Sequence, residues 1–235
     1  MSEKISTPYL KQTIFDAFKD VPKGKALGAR ECAVLDAFGN PDDIAAARRE
    51  DVEQHWWEYP DAVKRGCFDY ALTYNNEDGI KFHLPAIMAA LVDRKVHPHG
   101  SSNTSILHTL CYEIPGQKAP RWDSREFLPY LNSWKVRNVW QHFNFGTEQC
   151  HAIAVFLLWM MREPHHFFFV SRKEWIAVVA SRHKRRVEEG NATLTLEEAV
   201  ALVDEQHRIV HDWFVAGGLD LRTHIFGADI DLPDW

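Results

Sequence analysis

The chain is short of the residues and patterns that usually announce a chemistry. Cysteine occurs four times in 235 residues, at positions 32, 67, 111 and 150, and no two of them make a CxxC pair. That spacing excludes a compact zinc knuckle and a dithiol redox motif, and it leads us to expect free thiols in a reducing compartment. There is no GxSxG turn, no phosphate-binding loop, no dinucleotide glycine fingerprint and no HExxH helix. The local signatures of serine hydrolases, nucleotide binders and zinc proteases are therefore missing. No apolar run approaches the roughly 20 residues that span a bilayer. The opening Met1-Ser2-Glu3-Lys4-Ile5-Ser6-Thr7-Pro8 lacks the apolar core of a signal peptide. Positive charge is scarce too. Lys and Arg number 27 against 33 Asp and Glu, a net charge of −6, whereas a nucleic-acid binder usually shows a basic footprint. Internal repeats and low-complexity segments are absent. Together these absences predict a cytoplasmic protein with no membrane or nucleic-acid partner and no cofactor.

What is present is core. Hydrophobic residues make up 46% of the chain, with nine tryptophans, ample for one domain over residues 1–235. The stretch Thr147-Glu148-Gln149-Cys150-His151-Ala152-Ile153-Ala154-Val155-Phe156-Leu157-Leu158-Trp159-Met160-Met161-Arg162-Glu163-Pro164 reads as one helix over 148–163. Thr147 is its expected cap, and Pro164 is its stop. Its apolar residues are not confined to a stripe, so it must be covered on several sides. Thr7-Pro8 opens a first helix with Leu10, Ile14 and Phe18 on one face, Thr7 being the expected cap. A second helix is expected over 27–38, and Asn40-Pro41-Asp42-Asp43 starts a third. Residues 62–70 read as helical. The alternation of Leu72 and Tyr74, the turn-rich Asn75-Asn76-Glu77-Asp78-Gly79, and the alternation of Ile80 and Phe82 predict a β-hairpin at about 71–83. Pro85 then begins a helix through Val92. His97-Pro98-His99 reads as loop. Further helical stretches are expected around 106–111 and 125–140. After Pro164, Ser171 with Glu174 and Thr195 with Glu198 form capping boxes for two last helices. The expected architecture is mainly α, a multi-helix globular fold of about eight or nine helices around 148–163, with one small hairpin.

Thirteen histidines raise the question of a metal. The best pair is His207 and His211, one helical turn apart, with Asp204 on the same side. No rule of spacing supplies a third ligand, and His207 lies on the apolar stripe between Val203 and Val210, so no metal site is expected. His165-His166 reads as a loop pair. Cys150-His151 is no nucleophile–base pair, because adjacent helical residues point apart. The run Arg182-His183-Lys184-Arg185-Arg186 ends a helix, where cations suit the dipole, and reads as a solvated face. No catalytic residue emerges.

The charge is unevenly distributed. Between Asp36 and Asp61 eight acids face two arginines, a net of −6, and between Leu196 and Trp235 nine acids face two arginines, a net of −7. Within the first segment the acids are interleaved with large rings at Glu53, Trp56, Trp57, Glu58, Tyr59 and Asp61. Such a segment either splits between core and surface or faces a partner, since Trp and Tyr often anchor interfaces. These six residues are the candidate partner-binding set.

The pattern Gly79-Ile80-Lys81-Phe82-His83-Leu84-Pro85-Ala86, followed by Thr147-Glu148-Gln149 and an apolar helix with Phe156-Leu157, resembles an uncharacterised bacterial family of mostly helical proteins. Its members carry an aromatic-Leu-Pro-Ala entry to a helix and a Thr-x-Glu-Gln start to a later one. The resemblance covers residues 11–163. It makes 1–163 a family-like core and 164–235 a C-terminal helical pair with an extended tail. Some similar proteins look like the immunity proteins encoded beside secreted bacterial toxins. The expected function is thus a non-enzymatic one: binding and neutralising a cognate toxin or effector, such as a basic nuclease. The alternatives are a metal-dependent hydrolase using His207 and His211, and a structural helical protein without a toxin partner.

Overall fold

The computed structural model describes residues 5–95, 110, 126, 130, 143–162, 172–190, 192 and 194–219. The helices expected around 106–111 and 125–140, the loop pairs His97-Pro98-His99 and His165-His166, the stop at Pro164, the Ser171–Glu174 capping box and the tail beyond Leu219 lie outside the described residues. Within them the protein is mainly α. In chain order come α1 (Thr7–Phe18), α2 (Ala29–Asp36), α3 (Pro41–Glu50), a 3₁₀ turn (Trp56–Glu58), α4 (Asp61–Ala71), α5 (Glu77–Val92), α6 (Thr147–Arg162), α7 (Arg172–Glu188) and α8 (Leu196–Ala216).

The helix starts follow from local chemistry. Asn40 Oδ1 accepts the amides of Asp42 and Asp43 at 2.9 and 3.0 Å, and Asp43 returns a bond to the Asn40 amide, closing the capping box of α3. Thr195 and Glu198 do the same for α8, at 2.7 and 3.1 Å. For α1 the cap is Ser6, one residue earlier than expected; its hydroxyl accepts the Tyr9 amide. At α6, Thr147 is already helical. The end is closed instead by Gln149, whose Oε1 accepts the Gly146 amide at 3.0 Å.

The β-hairpin expected at 71–83 is not formed. Residues up to Ala71 finish α4, and residues from Glu77 belong to α5. Asn76 caps α5 through the Gly79 amide at 3.1 Å, and Glu77 and Asp78 sit at the positive end of its dipole. The alternation of Ile80 and Phe82 is a slice through a helix that is apolar nearly all round. Twelve of its sixteen residues are buried, so side chains two apart are both inside, as they would be on a strand face. Pro85 lies within this helix, not at its start. It withholds one N–H from the ladder, a loss a buried helix can bear when its neighbours pack around it.

Packing joins α1 to α5 and α6, α6 to α8, α8 to α7, and α2 to α3 and α4. Ala152 through Met160 of α6 are buried without interruption. A ring chain links the layers: Phe18 meets Phe145 at 6.1 Å, and Phe145 meets Trp213 at 5.9 Å. His151 Nδ1–H donates to the Gly217 carbonyl at 2.8 Å, pinning the end of α8 to α6.

Leu157 has no exposed surface. Leu157→Ala should cost roughly 2–5 kcal/mol through lost burial and the cavity left behind. Urea denaturation reads this directly; a midpoint equal to that of the wild type would exclude tight packing at this helix.

Candidate functional site

The segment after α3 divides its six candidate residues between interior and surface. Glu53, Trp56 and Tyr59 are 5%, 4% and 2% exposed. Trp56 opens the short 3₁₀ turn, while Glu53 and Tyr59 lie in the irregular chain on either side of it, and each is drawn inward by its own partners. Trp56 Nε1–H donates to the Phe18 carbonyl at 3.0 Å, satisfying the end of α1. Tyr59 packs edge-on against Phe68 at 5.2 Å. Burial raises its hydroxyl pKa above the ordinary value, and the nearby Asp51 and Glu53 add to the shift. Both Glu53 oxygens take Arg30 Nη1, at 2.9 and 3.0 Å. These three residues hold the fold and are not a partner-facing rim.

Trp57, Glu58 and Asp61 remain accessible. Trp57 is 38% exposed. Its ring stacks on His55 with centroids 4.5 Å apart and planes 6° from parallel, and it meets Phe15 at 5.2 Å. Glu58 accepts the amides of His55 and Gln54 at 2.9 and 2.8 Å, which hold its carboxyl below the usual carboxylate range. Asp61 is also held low, first by Lys95 at 3.0 Å and then by Lys64. The aromatic is thus braced, and part of the acidic rim is already neutralised.

Beneath this segment lies a polar cluster that sequence reasoning missed. The Asp51 side chain, only 2% exposed, accepts the amides of Arg30 and Glu31 at 3.1 and 2.9 Å, and Arg30 Nη1 at 3.1 Å. It therefore caps α2 from a distant part of the chain, at a helix start whose own cap residue is Gly28. A Cβ on Gly28 would lie 1.9 Å from Asp51 Oδ2, so only glycine leaves room for the carboxylate. Lys23 donates to the Asp51 carbonyl at 2.6 Å, and Arg48 Nε donates to Glu31 at 3.1 Å. Asn75 grips the same loop: its Oδ1 accepts the Leu27 amide at 2.8 Å, and its Nδ2 donates to Ala71 O at 2.7 Å. His83 completes the grip. Its Nε2 lies 2.7 Å from the Leu27 carbonyl, which can only accept, so Nε2 carries the proton and Nδ1 accepts from the Tyr59 hydroxyl at 3.4 Å. Burial, then Glu31 and Asp51, pushes the Cys32 thiol up to about 12. A thiol held that high supplies no thiolate near neutrality. The cluster positions Leu27, Gly28 and the first turn of α2, the 51–59 segment and α5. The signal for it was the lone Gly28 before a helix.

The other candidates are not brought together. Cys150 is buried with its thiol toward Phe145 O, while His151 bonds Gly217, so the two have separate partners. The His207 side chain lies outside the described residues. His211 is half-buried, its Nδ1 3.9 Å from Asp212 Oδ1. Among the described residues, no three His, Cys, Asp or Glu side chains gather as metal ligands. In the basic run, Arg182, Lys184 and Arg185 are exposed, and His183 bonds the Leu194 carbonyl at 2.8 Å. No described helix is long and apolar enough to cross a membrane.

Burial pushes the His83 imidazole down to about 4. The unfolded chain takes up this proton near pH 6.5, and the folded chain takes it up only near 4. Between those values the unfolded state binds more protons, so stability falls as the pH drops through that window, by on the order of 3 kcal/mol in all. Chemical denaturation between pH 7 and 4 should show this slope in the wild type and a shallower one in His83→Gln. Equal slopes would remove His83 from the account.

No curated protein and no solved structure matches this chain. A family model does match, over residues 7–166. This is nearly the stretch, 11–163, that carried the resemblance to an uncharacterised helical family. It includes Phe82-His83-Leu84-Pro85-Ala86, now in the middle of α5, and the start of α6 at Thr147-Glu148-Gln149. With most of its length matched, the chain belongs to DUF6714, a family of unknown function.

Proposed function

We propose that this protein is a cytoplasmic, non-enzymatic binding protein of the immunity type, which neutralises a cognate toxin or effector with a basic surface. In this reading α6 is the hub of a rigid helical body, and the surface around Trp57 meets the partner. The carrying observation is the state of Trp57. A large ring stays exposed yet is braced between His55 and Phe15, so little rotamer freedom is lost when a partner covers it. Trp in such a setting is a frequent interface anchor. The exposed acids of this stretch, Asp42, Asp43, Glu50 and Glu58, supply the complementary field, since Asp51 and Glu53 are buried against Arg30. Exposed carboxylates there would speed encounter with a basic partner more than they would add affinity.

The test is co-expression with the product of the adjacent gene, followed by binding kinetics at two salt concentrations. Association should slow as salt rises, because exposed charges are screened beyond about 10 Å at 0.1 M. Glu58→Lys should lower the on-rate. Trp57→Ala should raise the off-rate and cost on the order of 2 kcal/mol or more. A tight complex whose rates ignore both changes would move the interface elsewhere. No binding, together with turnover of a small substrate, would overturn the immunity reading.

A further inference from the structure

Among the described residues, the most exposed ring lies at the far end of α2. Phe38 is 96% exposed, and its backbone is left-handed, with φ of +56°. It occupies the position just past the helix where the chain reverses: the Gly39 amide reaches back to Val34 O at 2.9 Å, and the Phe38 amide to Leu35 O at 3.1 Å. Glycine is the usual occupant of that place, because a Cβ there is crowded by the backbone. Phenylalanine thus carries two penalties at once, a disfavoured backbone and a ring left almost wholly in water. Neither is offset by packing in the free protein. A strained residue with no stabilising return is an indicator of function.

The surroundings indicate what would cover the ring. Tyr74 is also exposed, and its hydroxyl donates to Asp36 Oδ1 at 3.1 Å. Asp43 lies beside the turn, since a Cβ on Gly39 would meet its Cβ at 3.6 Å. Asp42 is its exposed neighbour. Between Glu31 and Ala47 there are four acids and no lysine or arginine; Glu31 is buried against Arg48, and Asp36, Asp42 and Asp43 flank the turn along the chain. Apolar tip and acidic rim together match a basic protein surface with an apolar recess. We propose that Phe38 is an anchor by which this protein docks its basic partner, with Asp36, Asp42 and Asp43 as the rim. The inference rests on the binding reading above and names a contact within it.

The experiment uses the full chain and the product of the adjacent gene as probe. Phe38→Gly, Phe38→Ala and Asp42→Asn are compared with the wild type for thermal unfolding, oligomeric state and dissociation rate. Phe38→Gly should unfold at a higher temperature than the wild type, because it relieves the left-handed strain, and should dissociate on the order of tenfold faster or more. Phe38→Ala should match its fast dissociation without the gain in stability. Asp42→Asn should mainly slow association. If the probe binds and leaves all variants at the wild-type rate, Phe38 is no anchor, and the binding reading stands without it. If the probe does not bind the wild type, both fall. A Phe38→Gly protein less stable than the wild type would remove the strain argument and with it the proposal. A wild-type dimer that Phe38→Gly turns into a monomer would show a second copy covering the ring, overturning the basic partner.

Discussion

A carboxylate almost wholly removed from water organises the N-terminal half of this protein. Asp51 is held by two backbone amides and one guanidinium, and each of its bonds constrains something else. The amides belong to the first turn of α2, so the carboxylate sets where that helix begins. The guanidinium is shared with Glu53, so the strand of chain leaving α3 cannot drift from α2. The space it fills dictates glycine at 28. Removing one partner from such a group strands a buried charge, typically at 3–5 kcal/mol. The interior it fixes passes through Tyr59 and His83 into α5.

The same constraint separates interior from displayed side chains. Three of the six acidic and aromatic candidates are drawn inward by separate partners: Glu53 by Arg30, Trp56 by the Phe18 carbonyl, and Tyr59 by Phe68. Trp57 is exposed as a consequence of Trp56 and Tyr59 being buried, and His55 stacks on it because Glu58 ties back the local chain. A rigid display of one ring follows from the tight internal bonding of its neighbours. Phe38 differs, since its exposed ring sits on a left-handed backbone without packing.

Helix starts were legible in the sequence wherever the cap is a neighbour in the chain. Asn40 with Asp43, and Thr195 with Glu198, needed nothing beyond three residues of context, and the apolar run 152–160 had no composition compatible with a surface. Where one residue of context misled, as at Thr7 and Thr147, the helix begins one residue earlier than the cap assignment allowed, with Ser6 and Gln149 making the bonds. The hairpin at 71–83 failed for a different reason. Alternation of apolar residues implies a strand only if the polar positions face water, and in α5 almost every position faces protein.

The sequence by itself determined that this chain is mainly helical, where several helices start, and which family's motifs it carries, because capping and hydrophobic patterning act over a few residues. Only the tertiary structure decided that Glu53, Trp56 and Tyr59 are interior while Trp57 is displayed. An acid is read as solvated unless its partner is known, and the partner of Glu53 is Arg30, on α2, 23 residues away. Burial of charge is a property of the pair, and the pair exists only once the chain has folded.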